Sequence, residues 1–203
     1  MSGKRKEQSE RLLQAAYDLV AEVGVSGLRT RDIAERAGVN LATVHYCFES
    51  KEALLKALYH FIVDKFRQDH QALLSDGGTP GQQVEARTHL YMHFLREQPA
   101  SIRVWRAFIG EAWTNGTMGE IVRGHLAEQR ERLAAILAEG RRGGDFPALP
   151  TTDDRLAASL LMSLYDGLMF QWAMDPGAFA VEDYAHAIHA WLGLNEKSKA
   201  KER

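Results

Sequence analysis

At 203 residues, with 45% of its side chains apolar, the chain is long enough to bury one large core or two smaller ones. A formal net charge of −2 excludes a wholly basic, histone-like nucleic-acid binder, so any contact with DNA has to be local. A single cysteine, Cys47, excludes an internal disulfide, and no apolar run follows the cationic opening MSGKRKEQSERLL, which predicts a cytoplasmic location.

No stretch alternates with period two, and Gly and Pro punctuate a helical pattern throughout, so the expected fold class is all-α. A first helix from about Lys6 to Glu22 carries Leu12, Ala16, Leu19 and Val20 on one face and stops at Gly24. Lys4, Arg5 and Lys6 ahead of it form a basic arm that could follow phosphates. Thr30 is expected to cap a second helix with Asp32 in its first turn, and Gly38 to end it where a left-handed residue is wanted. Asn40 caps a third short helix that ends near Cys47. Ser50, with Glu49 and Glu52, opens a long fourth helix to about Leu74, and SDGGTP is a loop.

Pro99, TNGT, GRRGGDFPALP and DPGA divide the remainder into five helices, Gln82 to Gln98, Ala100 to Trp113, Met118 to Arg142, Thr152 to Met174 and Val181 to Leu194. The stretch LAASLLMSLYDGLMFQWAM, Leu156 to Met174, is long enough to tempt a membrane reading. Asp166 in its middle, with Ser159, Ser163, Gly167 and Gln171 around it, favours a buried helix instead, and no membrane partner is expected. The expected division is a helix-turn-helix DNA-binding domain over 1–52, a helical regulatory and dimerisation domain over 53–195 and a disordered tail over 196–203.

The chemistry concentrates in TRDIAERAGVNLATVHYCFESKEAL, Thr30 to Leu54. Its two helical pieces are too short to be stable alone, since an isolated helix needs about 12 to 15 residues, so they exist only packed on a scaffold. Ile33, Ala34, Ala37, Val39, Val44 and Phe48 form the inward set, with small Ala34 and Ala37 allowing close approach of two helices joined at Gly38. At about 100° per residue, the far side of the third helix carries Ala42, Thr43 and Tyr46, flanked by Leu41 and His45. A face of methyls, a hydroxyl and rings, short on charge, suits the reading of base edges in a major groove.

That stretch, with the lead-in AAYDLVAEVGVSGLRT, closely resembles the N-terminal DNA-binding domain of TetR-family transcriptional regulators over about the first 60 residues. The resemblance implies a dimeric, all-helical repressor that binds a palindromic double-stranded DNA operator and is released by a ligand in its C-terminal domain. It implies that Thr30 and Lys51 hold phosphates and that Arg31 reaches a base or a phosphate. Asn40, Leu41, Ala42, Thr43, His45 and Tyr46 would then complete the DNA-binding set. His45 stands where the family often has Tyr, and Cys47 where it often has His or Tyr.

Through LMSLYDGLMFQWAMDP the C-terminal part loosely resembles the BetI-like branch of that family. A symmetric DNA-binding unit requires a partner, and two apolar stripes are candidates for the homodimer interface. Leu160, Leu161, Leu164, Leu168 and Trp172 form one, and Val181, Tyr184, Ala185, Ile188, Trp191 and Leu192 the other, with Leu161, Leu164, Leu168, Tyr184, Ile188 and Trp191 at their centre. Phe94, Trp105, Phe108, Ile109 and Trp113, with Met169 and Phe170, exceed the large side chains a simple core needs and suggest a pocket for a small hydrophobic or aromatic effector. His93, Arg106 and Asp166 are its candidate polar groups.

A metal- or redox-sensing regulator is the alternative within the same class. His89 and His93 stand four apart on one helix, His186 and His189 three apart on another, and Cys47 is the group a redox sensor would use. No Glu follows His89 as in a zinc protease and no basic cluster adjoins Cys47, so neither a metal nor a cofactor is expected. The absence of a P-loop, a G-x-G-x-x-G and a G-x-S-x-G leaves a small helical enzyme as the different-class alternative, with no catalytic residue to assign.

Overall fold

The computed structural model describes residues 3–73, 78–149 and 151–194, and among them every regular element is helical. The elements are α1 (Gly3–Gly27), α2 (Thr30–Arg36), α3 (Leu41–Cys47), α4 (Lys51–Leu73), α5 (Pro80–Glu97), α6 (Pro99–Ala112), α7 (Gly116–Gly143), α8 (Asp154–Met174) and α9 (Val181–Leu192). The tail expected to be disordered, 196–203, lies outside the described residues, as do Ser75, Asp76 and Gly77 of the SDGGTP loop.

Local chemistry explains most of the boundaries. The expected stop at Gly24 is a kink rather than an end. With φ 72° and ψ 175° this glycine adopts a conformation closed to other residues, and the chain takes one more turn to Gly27. Thr30 does not cap α2. Arg29 has the extended dihedrals of the cap position and supplies no side-chain hydrogen bond, which puts Thr30 inside the helix. Asn40 does cap α3, its Oδ1 accepting from the Thr43 amide at 2.8 Å, and Ser50 Oγ accepts from the Ala53 amide at 3.0 Å at the start of α4. Thr79 and Gln82 form a reciprocal capping box ahead of α5, with Pro80 in the first turn.

Gly38 joins α2 to α3 at φ 65°, and an added Cβ would meet only Arg11 Nη2 at 4.0 Å, so a substitution there is strained by conformation and not by crowding. Gly38→Ala is expected to lower stability by about 1 kcal/mol, seen as a lower urea midpoint with an unchanged slope. An unchanged midpoint would show that the turn relaxes without strain.

The chain forms two compact units, Met1–Gln68 with Ala100–Arg123, and Asp69–Pro99 with Gly124–Arg203. In the first, α1 packs on α2 and α3, and Leu12, Ala16 and Val20 of α1 are buried, as are Ile33, Val44, Leu54 and Leu58. Tyr17 hydrogen-bonds Ser101 at 2.6 Å, and Tyr59 stacks on Trp105 and meets Phe108 edge-on, with ring centroids 6.0 and 5.7 Å apart. In the second, α5 packs on α8 and α9 through Val84, Leu90, Leu95, Leu161, Leu168, Ile188 and Leu192. Arg141 ties α7 to the start of α8 through Asp154 Oδ1 at 2.8 Å and the Thr151 carbonyl at 2.6 Å.

Candidate functional site

Three anchors from the α1 scaffold and the core fix the short helices. Arg36 of α2 makes a bidentate ion pair with Glu22 of α1 at 2.9 and 2.8 Å, and its hydrogen bonds hold the Glu22 carboxyl below the usual carboxylate range. Arg11 of α1 donates to the Ala37 carbonyl at 2.9 Å, satisfying the C-terminal end of α2. Val44 and Phe48 bury the inner side of α3. A seven-residue helix is thereby held at a set angle without stability of its own.

The outer side of α3 is what remains. Leu41, Ala42, His45 and Tyr46 are exposed, Tyr46 to 64% of its surface, while Arg31, Asn40 and Lys51 are exposed around them and Thr30 and Thr43 half-buried. The Thr43 hydroxyl donates to Asn40 Oδ1 at 2.9 Å, so its methyl and oxygen lone pairs are what it offers outward. All nine residues expected to meet DNA therefore lie on or beside α2 and α3. Arg5, expected in a basic arm ahead of the first helix, belongs to α1. It donates to the Tyr46 carbonyl at 3.4 Å, with its guanidinium carbon 5.1 Å from the Tyr46 ring centroid. No local sequence signal pairs residues 41 positions apart.

The seven apolar residues expected around an effector, and Asp166 among its expected polar groups, divide between the two units. In the first, Phe108 has no exposed surface and fills the core with Tyr59, Ile109 and Trp105 are half-buried, and Trp113 is 86% exposed. Phe108 therefore acts as a packing residue in this structure, and a ligand would reach it only if its neighbours moved. In the second, Phe94 is buried, Met169 half-buried, and Asp166 and Phe170 exposed. Asp166 keeps contact with solvent, yet the packed atoms around its carboxyl raise its pKa, an effect that nearby Arg87 opposes.

Of the residues expected at a dimer interface, Leu161 and Leu168 of α8 and Ile188 of α9 are buried inside the protomer, where both helices pack on α5. Leu164, Tyr184 and Trp191 are half-buried, and the Tyr184 hydroxyl donates to the Leu164 carbonyl at 3.0 Å. The opposite face of α8 carries Leu156, Leu160, Phe170 and Met174, all exposed, with small Ser163 and Gly167 between them.

The histidines meet in a different combination from the sequence pairs. His89 of α5 lies against His189 of α9 with centroids 6.4 Å apart, and His93 hydrogen-bonds Gln98 at 3.2 Å. Burial lowers the His189 pKa, Glu85 opposing and His89 and His186 adding to the shift. Among the described residues no three His, Cys, Asp or Glu side chains are grouped so as to hold a metal ion, and no helix is long and apolar enough to cross a membrane.

Two family models match the chain. The model described as bacterial regulatory proteins, tetR family, covers residues 12–58, and that described as BetI-type transcriptional repressor, C-terminal, covers residues 80–194, more than half of the chain. The chain belongs to the BetI-type TetR family. Among curated relatives, the HTH-type transcriptional regulator BetI of Rhizobium meliloti is 27% identical over 180 residues, which span 89% of this chain and 85% of that protein. A transcriptional regulator of Rhodococcus sp. Rha1 superposes with a TM-score of 0.75 at 27% identity, covering 91% of this chain and 94% of that one. A Saccharomonospora viridis regulator solved in complex with choline superposes with a TM-score of 0.80 at 22% identity, covering 94% and 97%. This TetR-family protein is a DNA-binding transcriptional regulator and not an enzyme, with the all-helical architecture of its family. Regulators of this family bind DNA as dimers.

Proposed function

We propose that this regulator is a ligand-responsive repressor acting in the cytoplasm, whose homodimer reads a palindromic operator through two copies of α3. The observation that carries the reading is the exposed outer side of α3, where Leu41, His45 and Tyr46 stand uncovered on a helix held from behind by Val44 and Phe48. Half-sites should lie about one helical turn apart or slightly more, because the two-fold axis of the dimer repeats in the duplex. The half-site module is assigned to 1–52 and the regulatory functions to 53–195. Thr30, Arg31 and Lys51 are placed on phosphates, with Arg31 within reach of a base edge.

The dimer is placed on the part of the exposed face of α8 that carries Leu156 and Leu160, leaving Phe170 off it, with α9 beside it, packed against the same helices of the second copy into a four-helix arrangement. Leu164, Tyr184 and Trp191 then lie at its margin and Leu160 near its centre. Leu161, Leu168 and Ile188 support that face from within the protomer.

The effector is proposed to be a small hydrophobic or aromatic molecule. The choline complex of the Saccharomonospora viridis relative supports a small-molecule response for this type of regulator. Met169, Phe170 and Asp166 of α8 and Phe94 of α5 are the candidates in the second unit, and Trp105, Ile109 and Trp113 in the first. Such a ligand weakens operator binding only by favouring the conformation that DNA does not, and DNA must weaken ligand binding by the same factor.

Selection of duplexes from a random pool tests the reading. Tyr46→Ala is expected to weaken binding to the selected site by about 1 to 3 kcal/mol, with the loss concentrated at one or two base pairs. Lys51→Ala should instead lower affinity evenly across sequences and reduce the salt slope by about one. A folded Tyr46→Ala protein that bound the selected site as tightly as the parent would place the recognition face elsewhere.

A further inference from the structure

Arg87 and Thr88 on α5 are the two buried polar side chains among the described residues, and Arg87 carries a full charge at 9% exposure. Its nearest partners are neutral, an amide and a phenol: the side chain hydrogen-bonds Tyr91. Nη2 donates to Gln129 Oε1 of α7 at 3.3 Å, and the guanidinium carbon lies 5.9 Å from the ring centroid of Tyr91. Tyr91 in turn stacks on Tyr165 of α8 at 4.4 Å with the planes 8° apart, and the Tyr165 hydroxyl shares a 2.7 Å hydrogen bond with Thr88. Arg87 Nε is buried without an acceptor, and no carboxylate of the described residues is within ion-pair distance of the guanidinium. Asp166 is close enough for the two charges to feel each other, but it makes no salt bridge with Arg87.

A buried guanidinium held by one amide and one tyrosine, with Asp166 outside ion-pair contact, is incompletely compensated, because removing a cation from water costs far more than neutral hydrogen bonds return. Its planar fork presents donors spaced for the two oxygens of a carboxylate. We infer that Arg87 is an effector-binding residue and that the effector carries a carboxylate on an apolar or aromatic body. The inference rests on the ligand-responsive reading above and names its ligand class. A quaternary ammonium is disfavoured at the same place. The Tyr91 and Tyr165 rings cover one face of each other, and a cation approaching Tyr91 meets the like charge of Arg87. This site therefore differs in sign from one built for choline.

The test uses the full-length regulator with its selected operator. Sodium butyrate, octanoate, decanoate, benzoate and phenylacetate are compared with octanol, benzyl alcohol, choline and tetramethylammonium, by thermal shift and by operator release. At least one carboxylate is expected to raise Tm in a concentration-dependent way and to release the operator, while its matched alcohol does neither. Arg87→Met should weaken that carboxylate at least 10-fold, and Arg87→Lys should fall between, keeping the charge but losing the fork. Arg87→Met should also raise the Tm of the ligand-free protein, since it removes an incompletely compensated buried charge, whereas loss of a merely structural arginine would lower it. Release by choline or tetramethylammonium with no carboxylate active would overturn the inference and leave the ligand-responsive reading standing. Wild-type carboxylate affinity in a folded Arg87→Met protein would overturn the assignment of the residue. Binding of a carboxylate with no compound releasing the operator would support the site and count against the ligand-responsive reading itself. Should Arg87→Met fail to fold, the comparison of carboxylates with their alcohols on the parent protein still decides the ligand class.

Discussion

Leu160→Arg is expected to leave the protomer folded, turn the dimer into a monomer and reduce operator affinity by at least about 100-fold, equivalent to about 2.7 kcal/mol. Leu160 is 40% exposed on the apolar face of α8, so in a lone protomer the new guanidinium is solvated and harmless. In the proposed dimer the same charge is buried twice, once from each copy, with no carboxylate named to receive it, a cost on the order of several kcal/mol. Leu168→Arg would test nothing of the kind. Leu168 is buried within the protomer, and a charge there unfolds the unit whatever its oligomeric state. Light scattering and far-UV dichroism on Leu160→Arg separate the outcomes. A folded mutant that stays dimeric moves the interface off this face of α8, and a folded monomer that keeps parental operator affinity removes the need for two half-sites.

The contrast between Leu160 and Leu168 shows where sequence reading runs out. The helix-turn-helix was legible because its signals are local: Asn40 one residue ahead of a helix, Gly38 where a left-handed residue is required, and apolar positions three and four apart. Thr30 misled for the same reason. A threonine at a helix start reads as a cap, yet the extended cap residue is Arg29, and nothing local distinguishes a start one residue earlier. In α8 both sides are apolar, Leu161 and Leu168 on one and Leu156 and Leu160 on the other, so periodicity finds the faces but not which one α5 and α9 cover. Arg87 was legible in principle as a charge on the core-facing stripe with Val84 and Tyr91. Its lack of a carboxylate in ion-pair contact is a fact of three dimensions only.

Phe108→Ala is expected to cost about 3 to 5 kcal/mol of stability, the range for deleting a fully buried ring that leaves a cavity. For a chain of this size that lowers Tm by on the order of 10 °C. Phe108 has no exposed surface, and its ring meets Tyr59 edge-on at 5.7 Å while Tyr59 stacks on Trp105. Burial raises the Tyr59 pKa, consistent with the dryness of this cluster. Trp113 is 86% exposed, and Trp113→Ala is expected to change stability by no more than about 0.5 kcal/mol. The pair separates the two roles that the abundance of rings leaves open. A ring that fills the core loses stability when removed and leaves the intrinsic affinity for an effector unchanged. A ring that meets the effector loses affinity and leaves the urea midpoint of the free protein in place. If Phe108→Ala lowered stability by less than about 1 kcal/mol while changing the concentration of effector needed to release the operator, Phe108 would be a ligand contact and not a packing residue.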